Sequence, residues 1–220
     1  MLELKNFTLK VGAMRLYVGN MEVRSGEFIL LTGDNGTGKT SLLSAVAGLH
    51  KDYEGSIIFN NSDVTSLYTY QRARLGIRYM LQNANIVNTL SVEEYVFLVT
   101  HREKKKVNTV LEILDVFGIK NLSQKCEDLS YGQKKLLSIS SCLLPDTKLL
   151  LLDEPFAGIS FDNKQLLVSM LLNFKQQGGS AIIVEHQVDT IQELSDKHFS
   201  FLVKDLGYVN LIQGGAVNVA

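Results

Sequence analysis

Residues 33–40 read Gly33-Asp34-Asn35-Gly36-Thr37-Gly38-Lys39-Thr40, and no other stretch constrains the fold as tightly. A compact apolar run, Glu27-Phe28-Ile29-Leu30-Leu31-Thr32, leads into it, as a buried parallel strand does. Leu42, Leu43, Val46 and Leu49 follow at helical spacing, and Gly48 is a C-terminal stop. Gly-x4-Gly-Lys-Thr between a strand and a helix matches the phosphate-binding P-loop pattern. Glycines free the backbone N–H groups of Gly33, Asn35, Gly36, Thr37 and Gly38 to turn inward around phosphate oxygens. The helix N-terminus adds its dipole. Lys39 is expected to reach the β- and γ-phosphates, Thr40 to ligate Mg2+, and Ser41 to donate to an α-phosphate oxygen. Alone, the loop implies only a nucleoside triphosphate, since kinases, GTPases and motors share it.

A second apolar run, Lys148 to Leu152, delivers Asp153 and Glu154 to the carboxyl end of a strand. Ligands of open α/β sheets bind at that edge. Adjacent carboxylates there are costly unless a metal or water uses them. Asp153 is therefore the expected Mg2+ partner and Glu154 the expected general base for an attacking water, a role that contributes about 10²–10⁴ in rate.

The rest of the 220 residues alternates around these two sites. Leu2 to Leu9 and Arg15 to Val23 read as opening strands about a turn at Gly12-Ala13, forming a separate antiparallel portion. Ser56–Phe59 and Ile77–Leu81 are further strands. From Gln82 to Pro145 the pattern turns helical. Ser91-Val92-Glu93-Glu94 is a capping box, Val107, Val110, Leu111 and Leu114 form a stripe ending near Gly118, and Leu136 to Leu144 is a third helix. A strand at Ala181–Val184, a short helix at Val188–Leu194 and strands at His198–Val203 and Tyr208–Ile212 complete the α/β pattern. The expected class is α/β with a mostly parallel sheet and a helical insert.

Leu129-Ser130-Tyr131-Gly132-Gln133 precedes the third helix. Together with the phosphate loop, Gln82 after a strand, Asp153-Glu154-Pro155, and His186 after a strand, it resembles the ABC ATPase family, whose signature reads LSGGQ. All five motifs stand in the family's order and cover nearly the whole chain. The resemblance implies a P-loop NTPase (RecA-like) core at residues 1–82 and 146–220, with a helical signature subdomain at 83–145. It implies ATP as ligand. Gln82 would contact Mg2+ or the attacking water. His186 would hydrogen-bond the γ-phosphate. Ser130, Gly132 and Gln133 would bind the γ-phosphate of a second ABC ATPase subunit, in a homodimer or heterodimer closing head to tail on two ATP molecules. His50, His101 and His198 have no such context.

Three positions depart from the family pattern. Val11 stands where an aromatic residue stacks on adenine, so only its hydrophobic contact serves the base, and Tyr17 is too close to the loop to substitute. Tyr131 replaces the first glycine of the signature. Ser160 replaces the aspartate ending the loop after Asp-Glu-Pro, with Asp162 two residues on. The Asp-Glu-Pro-Phe-Ala-Gly run is similar to cassettes of branched-chain amino-acid importers and lipopolysaccharide exporters.

A formal net charge of −1 gives no reason to expect nucleic acid, and Arg102–Lys106, broken by Glu103, reads as a solvated helix start. No run approaches the ~20 apolar residues of a membrane span, and Met1–Lys5 does not read as a signal peptide. Cys126 and Cys142 lack metal-ligand spacing. The expected setting is cytoplasmic, at the inner face of the membrane, bound to an integral membrane transporter subunit docked around Asn83 to Tyr95. The alternatives are a soluble ABC-type ATPase with an assembly or regulatory role, a metabolite kinase, and a nucleotide-binding subunit without hydrolysis.

Overall fold

The computed structural model describes residues 1–82, 86–186, 193–205 and 208–214. The helix expected at 188–194 falls largely outside them, as do residues 83–85 of the expected docking segment. Among the described residues ten strands form one sheet: β1 (Leu2–Val11), β2 (Met14–Val23), β3 (Phe28–Gly33), β4 (Tyr53–Phe59), β5 (Ser62–Asp63), β6 (Ile77–Met80), β7 (Leu149–Asp153), β8 (Ser180–Val184), β9 (Lys197–Asp205) and β10 (Tyr208–Gly214). Their order is β5-β4-β1-β2-β10-β9-β3-β8-β7-β6. Strands β9, β3, β8, β7 and β6 run parallel, with Leu31 opposite Val184 and Asp153 opposite Val184 from the other side. Strands β1, β2, β4 and β5 pair antiparallel, as expected. They do not stand apart, because β10 pairs parallel with β2 and antiparallel with β9 and so joins the two portions.

The apolar runs are buried on both faces, and their alternation divides the core in two. Ile29, Leu31, Leu149, Leu151, Ile182 and Val184 face the antiparallel strands and helix α1 (Lys39–Ala47). Phe28, Leu30, Leu150, Leu152, Ala181 and Ile183 face the other helices. These are α3 (Val92–Thr100), α4 (Lys104–Val116), α5 (Tyr131–Ser140) and α6 (Phe161–Gln176). Each fully buried Leu or Ile is worth about 1.5–3 kcal/mol of transfer free energy, so β7 and β8 are fixed between the two layers that cover the sheet.

The helices start where their caps put them. Ser91 Oγ accepts from the Glu94 N–H and Glu94 returns a bond to the Ser91 N–H, the expected box. Helix α5 begins at Tyr131 and ends at Ser140, so the helix expected over Leu136–Leu144 is shifted toward the N-terminus. Its start is set by a capping box in which Ser130 Oγ accepts from Gln133 N–H and Gln133 Oε1 from Ser130 N–H. In the α4 start, Arg102 and Glu103 are exposed, but Lys106 is largely covered and pairs with Glu103 and Asp146. A short helix, α2 (Thr69–Arg74), contributes Arg72, which is fully buried and donates to Ala45 O and Val46 O. Those are C-terminal carbonyls of α1, so Arg72 completes the helix whose other end carries the phosphate loop.

Candidate nucleotide site

The phosphate loop runs from the end of β3 into α1. Gly38 sits at φ 97° as the N-terminal cap, a conformation that carries a Cβ penalty for other residues. Among the described residues no side chain caps α1, which leaves the N–H groups of its first turn directed out of the helix end. Thr37 Oγ1 donates to Asp34 O at 2.9 Å, pinning the loop to itself. Lys39 is 6% exposed, and its Nζ donates to Gly33 O at 2.6 Å and Asp34 O at 2.7 Å. Burial pulls its pKa below the usual lysine value, while Glu154, Asp153 and Asp34 pull it back. The ammonium is thus held against the loop with acidic groups around it.

A cleft of about 470 Å³ is lined by Val11, Asn35, Gly36, Gly38, Lys39, Thr40, Ser41, Gln82, Glu154 and His186. Ten residues singled out in sequence, from five segments of the chain, share its wall. Val11 reaches it at the end of β1, Gln82 just after β6, and Glu154 just after β7. A second cleft of about 590 Å³, between α4 and α6, contains none of them.

Asp153 is fully buried at the end of β7. Its Oδ2 accepts from the Tyr79 hydroxyl at 3.5 Å, and its Oδ1 is buried with no hydrogen-bond partner among the described residues. Burial raises its pKa, the Thr40 side chain opposes that, and Glu154 raises it further. An orphaned buried carboxylate oxygen beside the Thr40 hydroxyl fits a divalent cation. Mg2+ takes one or two protein ligands and completes its shell with phosphate oxygens and water. The protein supplies no cage of its own: among the described residues, no cluster of three His, Cys, Asp or Glu side chains converges on one point.

Glu154 lies at φ 51°, in the left-handed region that a non-glycine residue occupies at a cost of about 1–3 kcal/mol. Its N–H donates to Val184 O at 2.9 Å, which fixes the turn to β8. Its Oε1 stands 3.4 Å from His186 Nε2. The candidate base and the candidate γ-phosphate contact therefore touch each other in the wall of the cleft that Lys39 also lines.

The profile of the ABC transporter family matches residues 18–157. The chain belongs to the ABC transporter family. Among its relatives is the L-arabinose transport ATP-binding protein of Geobacillus stearothermophilus, 32% identical over 206 residues, 89% of this chain and 40% of that protein. Another is the xylose/arabinose import ATP-binding protein of Sulfolobus acidocaldarius, 28% identical over 90% of this chain and 82% of that protein. The chain thus spans less than half the length of the first and most of the second. The fold is that of a dimeric ATP-binding cassette captured in a post-hydrolysis state with ADP and Pi. The TM-score is 0.83 at 22% identity, over 98% of this chain and 99% of that one.

As an ABC transporter cassette, the chain places its signature away from its own phosphate loop. Ser130, Gly132 and Gln133 are absent from the cleft wall. They stand at the start of α5, and Gly132 packs on the turn after β7, where a Cβ on it would lie 2.7 Å from Gly158 O. The Tyr131 ring lies over Gly158. Gln133 spends its side chain on the cap of α5, and Ser160 caps α6 by accepting from Asn163 N–H at 3.4 Å. Three side chains near the site went unnoticed in sequence: Tyr79, Lys135 and Glu185. Only Lys135 carries a local signal, since it shares the i, i+4, i+7 face of buried Ile139 and Cys142.

Proposed function

We propose that this cassette binds ATP with Mg2+, hydrolyses it, and powers a membrane transporter by closing as a dimer around two ATP molecules. The observation that carries this reading is the single cleft in which Lys39, Thr40, Gln82, Glu154 and His186 converge. In it the loop amides and Lys39 hold the phosphates, and Ser41 holds an α-phosphate oxygen. Thr40, Asp153 and Gln82 are the residues that would hold Mg2+, which neutralises phosphate charge when bound. Glu154 takes the proton of the attacking water and His186 orients the γ-phosphate. Val11 contacts the adenine.

Ser130, Gly132 and Gln133 complete the partner subunit's site, with residues 83–145 acting as the signature subdomain and 1–82 and 146–220 as the core. No helix among the described residues is long and apolar enough to cross a membrane. A membrane-spanning partner docked near Gln82, around Asn83 to Tyr95, would hold the chain at the inner face of the membrane. The names of the two relatives, one of L-arabinose transport and one of xylose/arabinose import, support coupling to transport. The test is purification of the tagged chain from detergent-solubilised membranes with its associated proteins identified. A multi-span membrane protein at stoichiometric level is expected. Recovery of an active ATPase with only soluble partners would favour the assembly or regulatory reading instead.

A further inference from the structure

The turn Glu154–Ala157 is gripped by two buried charges that the nucleotide site itself does not use. Lys135, on α5, is 1% exposed. Its Nζ donates to Glu154 O at 2.7 Å and Ala157 O at 3.0 Å, under the Tyr131 ring at 5.2 Å from the centroid. Glu185, at the end of β8, is 4% exposed. Its Oε1 accepts from Phe156 N–H at 2.9 Å and its Oε2 from His186 N–H at 3.1 Å. The cation holds the turn's carbonyls and the anion holds its amide. Burial raises the Glu185 pKa, whereas these amide bonds and the charge of Lys135 lower it.

A buried lysine and a buried glutamate each carry a desolvation cost of several kcal/mol before their contacts offset it. A methionine and a leucine would fill the same space without it. What the charges add is a fixed backbone at Glu154, the one residue of the turn at positive φ, and a fixed start for His186. They also connect elements far apart in sequence, because Lys135 belongs to the signature helix and Glu185 adjoins His186.

We propose that Lys135 and Glu185 form a clamp that positions the Glu154 carboxylate and the His186 imidazole, and that couples both to the signature helix. This rests on the reading of Glu154 as general base. Neither clamp residue touches the reacting atoms. Both are positioning residues, acting through the backbone of the groups that do.

The test compares phosphate release by the wild-type chain, Lys135→Met, Glu185→Gln, the double variant, Lys135→Arg and Glu154→Gln. ATP affinity and melting temperature are measured on each. Lys135→Met and Glu185→Gln are expected to lower kcat by about 10–100-fold, the scale of a sub-ångström to 1 Å misplacement. KM and ATP affinity stay within about twofold, because ground-state binding is untouched. The double variant falls no further than the worse single one, since the two act as a unit. Lys135→Arg, with charge and donors kept, recovers most of the loss. A merely structural role would lower the melting temperature while leaving kcat per folded molecule unchanged, and that result in Glu185→Gln or Lys135→Met overturns the clamp. So does a double variant whose losses multiply. Should Lys135→Met not fold, Glu185→Gln and Lys135→Arg decide by the same criteria. An inactive Glu154→Gln beside fully active clamp variants sinks the clamp alone, whereas a fully active Glu154→Gln removes the base and the clamp together.

Discussion

Asp153 and Lys39 show how single residues of this site are held against their own preference. Both are buried, and burial moves each toward its neutral form. The folded protein binds the Asp153 proton more tightly than the unfolded chain, in which the group titrates near 3.8. Its contribution to stability is therefore full below that value and is lost as pH rises through the raised folded value. Glu185 behaves likewise from 4.5 upward. Asp153→Asn is accordingly expected to raise the melting temperature of the nucleotide-free protein at neutral pH, with a gain that shrinks toward acid, while abolishing Mg2+-dependent turnover. Thermal melts across pH and phosphate release check the two halves separately. Lys39→Ala removes a charge-assisted contact to phosphate and is expected to weaken ATP binding by at least about 10–100-fold. Titration with a fluorescent ATP analogue measures it, and unaltered affinity contradicts the phosphate-loop reading.

At the scale of elements, the signature helix and the turn after β7 meet through a contact that two small residues permit. Gly158 is at φ 75°, and a Cβ there would lie 2.7 Å from the Tyr131 ring. Gly158→Ala is expected to cost about 1–3 kcal/mol from backbone strain and overlap. In a Tyr131→Ala background the same change costs less, because the ring is gone and only the strain remains. Denaturant melts of the four proteins give both values, and equal costs in the two backgrounds contradict the packing described.

Much of this layout is legible in local sequence. The Glu27–Thr32 run, the glycine loop and the α1 periodicity predict a strand, a loop and a helix where the structure has them. Ser91 and Ser130 mark helix starts. Three further features depend on partners distant in the chain. The place of the antiparallel strands was set by β10 pairing with β2, residues 208–210 against 15–17. The early end of α5 replaces an apolar run that continues through Leu143 and Leu144 as turn and loop, both packed on the core. The burial of Arg72, Lys135 and Glu185 is satisfied almost wholly by main-chain groups of other segments, which no spacing rule displays.

For the whole molecule, Ser130 and Gly132 lie outside the chain's own cleft, and in the proposed dimer each copy would supply half of each site. Glu154→Gln, able to bind but not to activate water, is expected to accumulate a dimer with ATP and Mg2+ and to remain monomeric with ADP. Sedimentation velocity distinguishes the two, and a heterodimeric partner shifts the dimer to the mixed species.

In the proposed function the strained carboxylate at the end of β7 carries the chemistry. Phosphate release by wild type and by Glu154→Gln, with ATP affinity measured on the same preparations, tests it most directly. The expected result is a loss of about 10²–10⁴ in turnover with ATP affinity retained. Turnover equal to wild type in Glu154→Gln would contradict the account.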